Sequence, residues 1–336
     1  MPNPQVTRRG ILGAAGALTA GAVLAACGAG GAASGSGSWK FTDDRGKTAR
    51  VDGTPKRAVA YIGTAAALYD YGVRQQIAGV YGPTKLSDGK PDPQAGDLPI
   101  DDVVNLGNTW GKFNVEKYAS LKPQVLITNM YQKDKPWFLP DESADEILKL
   151  APAICLSTAN AKLTKVFKRF QALAKALGAD QSASRISRAV DDFESASDEL
   201  RTRAKAKKRG RKLTVMAASA DDQKLYVVDP SAYCVLSYYR DLGVEFIVPD
   251  KTDDGFYQYL SWENADKYSA DIILMDNRVA ALQPKDLTDK PTFMKLPAIK
   301  EKQYLGWASE ARFSHAGCAP FTKTLADALE KFDKVT

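Results

Sequence analysis

The amino-acid sequence predicts an α/β protein built as two lobes joined by one long helix. Three observations carry that reading. Short apolar strand segments alternate with short helical ones before about residue 160 and again after about residue 210, the rhythm of parallel-paired sheets covered by helices. Between them, Lys162 to about Lys208 has almost no strand signal, and "SASRISRAVDDFESASDELRTRAKAKK" keeps helical periodicity with no Gly or Pro. The third is an internal echo. "NVEKYASLKPQVLI" and "SWENADKYSADIIL" share an N-cap candidate, a glutamate two positions on, a short helix and a buried strand, and Glu116 to Gln124 has the spacing of Glu263 to Asp271.

The first lobe, residues 39–160, opens with "WKFTDDRGKTARVD", whose alternation around Asp44-Arg45-Gly46 is a hairpin signal. "RAVAYI" reads as a strand, "TAAALYDYG" as a helix ending at glycine, and "IAGVYG", "VVNLG" and "QVLITN" as further strands. "ADEILKL" and "AICLS" add a helix and a strand. Residues 161–209 form the helical segment. The second lobe, 210–336, gives strands at "KLTVMAAS", "KLYVVD", "VEFIVPD", "DIILMD" and "QYLGW", and helices at "YCVLSYYRDLG", "ENADKYS" and "FTKTLADALEKF". In the echo, Asn114 and Ser261 can each accept a bond from a helix's first free N–H groups. Helix-end electrostatics accounts for Glu116 or Glu263 alone, and less well for the matched pair.

Ahead of the lobes, Thr7-Arg8-Arg9 is a basic head and "GILGAAGALTAGAVLAA" an uncharged apolar run rich in Gly and Ala. Together they describe an export signal over residues 1–26 rather than a membrane span, with an Arg-Arg pair of the twin-arginine kind. Leu24-Ala25-Ala26-Cys27 matches the bacterial lipobox, so Cys27 is expected to carry acyl chains that anchor the exported protein to the outer face of the cytoplasmic membrane. Residues 27–38 then form a Gly/Ser-rich flexible tether.

The formal net charge is +6. The run "RTRAKAKKRGRK" has no interleaved aromatics, so a solvated helix end outranks a nucleic-acid surface. With a single histidine, His315, and no CxxC pair among four cysteines, a zinc site is not expected. Export permits a disulfide. Cys234 and Cys318 both precede helices in the second lobe and are the expected pair, with Cys155 in "APAICLS" a buried strand residue.

The catalytic inventory is poor, with no GxSxG, phosphate loop, HExxH or GxGxxG in a strand–helix context. Asp43-Asp44 and Asp253-Asp254 are carboxylate pairs best explained by surface solvation. Aromatics are more suggestive. Tyr61, Tyr81, Trp110, Tyr131, Trp137, Tyr226, Tyr233, Tyr257 and Trp307 fall mainly at strand ends or in the loops after them, where open α/β sheets bind ligands. Such rings also serve cores. Arg278 follows "DIILMD", and Arg312 in "SEARFSHAGC" is a charge between apolar residues that calls for an anionic partner.

Together the lipobox, "FTDDRGKTARVDGTPKRAVAY", "ALYDYGVRQQIAGVYG", "EKYASLKPQVLIT", "YCVLSYYRDLGVEFIVPD", "LSWENADKYSADIILMD" and "EARFSHAGCAP" resemble the ferric-siderophore-binding lipoproteins of ABC importers. The similarity covers essentially the whole exported chain and is nearest to binders of desferrioxamine-type hydroxamates. It implies two Rossmann-like lobes joined by a single interlobe helix, the class III periplasmic-binding-protein arrangement, with the ligand in the cleft. It implies Arg312 and Arg278 on the iron-bound oxygens, Tyr226, Tyr233 and Trp307 packing from the second lobe, and Tyr61, Tyr81, Trp110 and Tyr131 from the first. Glu116 and Glu263 stand where family members present one glutamate per lobe to the permease. Gly317 stands where a bulkier residue is expected. The resemblance thus implies a monomer with no cofactor, a ferric siderophore as cargo and an ABC permease as partner.

Two alternatives stay open. The same fold binds haem or cobalamin, and haem would want an axial ligand such as His315. A surface-anchored hydrolase working through an aspartate pair belongs to another class.

Overall fold

A computed structural model describes residues 37–336; the export signal, Cys27 and nearly all of the tether lie outside the described residues. The hairpin forms as β1 (Ser38–Thr42) against β2 (Thr48–Asp52), antiparallel. The chain then winds through β3 (Ala58–Tyr61), α1 (Ile62–Asp70), β4 (Ile77–Tyr81), β5 (Val104–Asn105), α2 (Val115–Ser120), β6 (Val125–Met130), α3 (Ala144–Leu150) and β7 (Ala153–Ser157). These strands order as β5-β4-β3-β6-β7, and every pairing is parallel. β6 is buried at all positions, as an apolar run covered by helices on both faces should be.

Asp43 and Asp44 are not solvated. Asp43 Oδ2 accepts from Arg45 Nε at 2.7 Å and Cys155 N at 3.0 Å, and Asp44 accepts from Ser157 N at 2.8 Å and Arg169 Nε at 2.7 Å. The hairpin's turn is therefore pinned to β7 by carboxylates that replace missing backbone partners.

α4 (Leu163–Ala176) precedes α5 (Ser184–Lys205), which at about 1.5 Å per residue is about 33 Å long. Its buried stripe of Ile186, Phe193, Ala196, Leu200 and Ala204 follows helical spacing. The stripe packs along the last helix of the chain. The chain continues as β8 (Thr214–Ala220), β9 (Lys224–Val228), α6 (Cys234–Asp241), β10 (Glu245–Phe246), β11 (Tyr257–Ser261), β12 (Ile272–Asp276), α7 (Pro291–Met294), α8 (Pro297–Lys300), β13 (Tyr304–Trp307) and α9 (His315–Lys331).

The second sheet departs from the expected parallel pairing. Its order is β11-β9-β8-β12-β13, with β9 antiparallel to both β8 and β11. β10 shares one edge of β8 with β9, which limits "VEFIVPD" to a two-residue strand. β11 was not expected; its "YQYLS" carries a buried polar residue, Gln258, where a core strand signal wants an apolar one. "ENADKYS" makes only a single 3₁₀ turn, Trp262–Asn264, and Ser261 gives it no cap bond, whereas Asn114 Oδ1 accepts from Lys117 N at 2.8 Å as expected. α9 begins six residues before Phe321 and runs through Pro320, its start fixed by the Ser314 cap on Gly317 N.

The echo survives at the other end of each motif. Gln124 Oε1 accepts from Lys56 N at 2.8 Å and Arg57 N at 3.1 Å, below β3. Asp271 Oδ2 accepts from Thr214 N at 2.8 Å, at the start of β8. In both lobes the residue leading into an inner strand clasps the start of the strand beside it. The expected Cys234–Cys318 disulfide is corrected: Cys155, Cys234 and Cys318 are all buried free thiols. Cys318 Sγ points instead at the Arg312 carbonyl, 3.6 Å away.

Candidate functional site

Loops beyond the carboxyl ends of both sheets meet in a cleft. Three adjoining cavities of about 130, 110 and 470 Å³ share Arg278 and Glu310. The largest is walled by Trp110, Trp137 and Phe138 from the first lobe and by Arg278, Val279 and Ala280 from the second. Trp110 is 50% exposed, with its ring centroid 5.2 Å from that of Trp137 and 5.0 Å from that of Phe138; Trp137 in turn meets Tyr131 at 4.7 Å. Phe138 holds φ at +64°, an uncommon backbone state for a bulky residue and one that collects at functional sites. Tyr131, Tyr233 and Tyr257 line the adjoining cavity of about 130 Å³. Burial pushes all three phenols above their ordinary pKa, so they present neutral hydroxyls.

At the centre Arg278 is already paired. Its Nε and Nη2 donate to Asp276 Oδ2 at 2.9 and 2.6 Å, and Nη1 to Glu310 Oε1 at 2.5 Å. Asp276, fully buried at the end of β12, also accepts from Ser219 and Ser309. Glu310 accepts from the Tyr61 hydroxyl and, at 3.3 Å, from Trp137 Nε1. A second-lobe carboxylate thus bridges to two first-lobe donors.

Arg312 is held differently. Nε pairs with Asp70 at 3.2 Å, and burial raises the pKa of that carboxyl while Arg312 opposes the shift. Nη1 is buried with no partner among the described residues, as is the Tyr131 hydroxyl. The guanidinium lies in a slot between glycines. A methyl on Gly96 would fall on Nη1, and one on Gly317 would stand 2.9 Å from Nε. The absence of a bulkier residue at position 317 is therefore what gives Arg312 its seat.

Of the expected ligand residues, Arg312, Arg278, Tyr233, Trp110 and Tyr131 line the cleft. Tyr61, Tyr81 and Trp307 are corrected to backing positions, each at most 2% exposed. The first two end β3 and β4, where Tyr81 packs edge to face against Tyr61 and Phe113. Trp307 lies behind Tyr233, its Nε1 donating to Ala218 O. Tyr226 sits one ring further out, against Tyr257 at 5.7 Å, with its hydroxyl on Asp221. Glu310 and Phe138 were missed, and Trp137 and Tyr257 were not singled out from the other aromatics. The Glu310 signal is split along the chain: an acid two positions before Arg312 in "SEARF", and an Arg278, far from it in sequence, that needs a counter-ion.

His315 lines none of these cavities. It packs against Phe167 at 4.3 Å and bonds the Tyr71 hydroxyl, and burial lowers its pKa to about 4. Among the described residues, no group of three or more His, Cys, Asp or Glu stands close enough to hold a metal ion. Glu116 and Glu263 are exposed, each at the start of its short helical turn. No described helix is long and apolar enough to cross a membrane.

Residues 58–311 match the family described as periplasmic binding protein. In structure the chain is similar to DesE, a ferric-siderophore receptor protein from Streptomyces coelicolor, with TM-score 0.83 and 44% identity over 89% of this chain and 100% of that one. Its fold is also similar to the triscatecholate siderophore binding protein FeuA from Bacillus subtilis (TM-score 0.62, 18% identity, 88% and 99% covered). A third likeness is FhuD from S. pseudintermedius (TM-score 0.60, 20% identity, 89% and 100% covered). A search of curated proteins finds no match.

Proposed function

Because this chain belongs to the periplasmic binding protein family, we propose that its cleft binds a ferric hydroxamate siderophore of the ferrioxamine type and hands it to an ABC permease for iron uptake. The single observation that carries the reading is the pairing of an aromatic wall with one buried, unpartnered guanidinium N–H, that of Arg312. Trp110, Trp137, Phe138, Tyr131, Tyr233 and Tyr257 pack against the organic shell. Arg312 Nη1 and the Tyr131 hydroxyl donate to the iron-bound oxygens, which carry negative charge. The metal stays coordinated by its siderophore, in keeping with a cleft where, among the described residues, no group of three or more His, Cys, Asp or Glu could hold an ion. The likeness to a ferric-siderophore receptor at 44% identity supports this choice of cargo. Haem is the weaker reading, because His315 is packed away among Phe167, Phe193 and Tyr71.

In the same proposal Cys27 is lipidated and holds the protein at the outer face of the membrane. Exposed Glu116 and Glu263 dock the two lobes on the permease. Titration of intrinsic fluorescence with ferrioxamine, haem and cobalamin in parallel tests the cargo: saturable quenching by ferrioxamine alone is expected, and quenching only by another ligand overturns the assignment. Glu116→Lys with Glu263→Lys should abolish import by cells while the affinity for ferrioxamine persists. Import at the normal rate would remove both glutamates from docking.

A further inference from the structure

Arg278 looks like an anion receptor and is not free to be one. Both ends of its fork are taken by carboxylates in the cleft as it stands, Asp276 behind and Glu310 beside it. That leaves Arg312 as the one cation lining the three cavities with an unpartnered buried N–H, among the described residues. Against the two arginines the same walls set Glu310, Asp92 and Asp254, and Asp276 and Asp70 lie directly behind. The adjoining cavity beyond Tyr131 balances Arg45 and Lys133 with Asp44 and Asp134, so it supplies no surplus of positive charge. The cleft is acidic on balance, and uncompensated charge in a partly buried cleft is expensive.

Charge divides ferric siderophores by chemistry. Three hydroxamates neutralise a ferric ion, whereas three catecholates leave a trianion. A neutral complex needs one or two donors for its localised oxygens. A trianion needs several free cations and here meets fixed carboxylates.

We infer that Glu310 is the specificity-determining residue of the cleft, a resident anion that occupies Arg278 and turns away trianionic complexes while admitting neutral or cationic ones. The inference rests on the proposed function and deepens it. Glu310 does this in place of the ligand. Its Oε1 holds Arg278 Nη1, and Tyr61 and Trp137 hold the other oxygen, so displacing it breaks three hydrogen bonds at once.

The test compares each complex with itself, which removes differences of shape. Affinities of wild type and Glu310→Gln are measured for neutral ferrioxamine E and for a trianionic ferric triscatecholate. The wild type is expected to bind the neutral complex and bind the trianion at least a hundredfold more weakly. Glu310→Gln should narrow that ratio at least tenfold, because Gln keeps the shape and frees the Arg278 charge. Should the variant not fold, salt on the wild type gives the same information: screening shortens the range of repulsion, so raising ionic strength should narrow the ratio. A ratio that stays put or widens in Glu310→Gln overturns the filter, and so does a salt-insensitive ratio where the variant does not fold. Failure of ferrioxamine E to bind the wild type at all would instead sink the proposed function beneath it.

Discussion

To the three cleft cavities the first-lobe loops beyond the strand ends present rings, Trp110, Trp137, Phe138 and Tyr131, and, among the described residues, no cation; the second lobe adds Arg278, Glu310 and Arg312 to its own rings, Tyr233 and Tyr257, with buried acids behind. The frames beneath are closely alike. Each has a central strand, β3 or β8, whose start is clasped by the residue leading into the strand beside it, β6 or β12. What differs is how each sheet is finished. The first is wholly parallel. The second takes on an antiparallel pair, β9 and β11, which carries Tyr226 and Tyr257 out along the cleft. The frame thus fixes where the cleft lies, and the loops decide whether a wall recognises surface or charge.

The sharpest way to break this division is Arg312→Ala. Losing a charged donor from an otherwise unsatisfied site costs about 1.5–3 kcal/mol, or roughly ten- to a hundredfold in Kd for ferrioxamine. The same change removes the ion-pair partner of Asp70, whose side chain is 6% exposed, and leaves it the Ser314 hydroxyl alone, so the melting temperature should fall as well. Gly317→Ala separates the two effects. It keeps the charge but displaces it, since its methyl would crowd the Arg312 carbonyl oxygen and stand 2.9 Å from Nε, so affinity should fall several-fold while Asp70 keeps a cation to pair with. If Arg312→Ala leaves Kd unchanged, the second lobe does not recognise charge and the comparison fails.

A second prediction sets the two clasps against each other. Asp271 is buried; burial alone would raise its pKa, but Lys334 at 2.7 Å and bonds from Thr214, Val335 and Thr336 hold it well below the usual carboxylate range. A group so depressed in the folded state stabilises it above the ordinary aspartate pKa of about 3.9, and that contribution is lost as pH falls toward the folded value. Asp271→Asn should cost about 1–3 kcal/mol at neutral pH and flatten the acid limb of a melting-temperature profile taken between about pH 4 and pH 2. Gln124→Ala, a neutral clasp nearer solvent, should cost about 1 kcal/mol or less with no such change. Equal costs and parallel acid limbs would show that the clasps differ in name only.

Legibility followed the same divide. The hairpin, the wholly parallel first sheet and the long α5 could be read because each rests on local pattern: alternation, apolar runs between turn residues, and unbroken helical spacing. In the second lobe β11 was missed because Gln258 faces inward, and the rest of "VEFIVPD" made no strand because β9 takes the remaining edge of β8. Arg312 announced itself as a charge among apolar neighbours. Glu310 did not, because its meaning depends on Arg278, thirty-two positions away in sequence. Tyr61, Tyr81 and Trp307 marked strand ends correctly and pocket walls wrongly, since a ring at a strand end turns inward or outward according to the helix that covers it.

The finest discrimination concerns Trp137, which touches both kinds of recognition. Its ring lies between Trp110 and Tyr131, and its Nε1 donates to Glu310 across the cleft at 3.3 Å. If the first lobe works by surface, Trp137→Phe should bind ferrioxamine nearly as well as the wild type, and Trp137→Ala should lose about 0.5–1.5 kcal/mol beyond simple area, roughly two- to tenfold. Calorimetry serves better than fluorescence, since the variant removes a reporter ring. Loss confined to the Ala variant, and insensitive to salt, would keep the aromatic wall and the charged wall as separate devices. A matching loss in the Phe variant would mean that Trp137 acts through Glu310, and that the first lobe also reads charge.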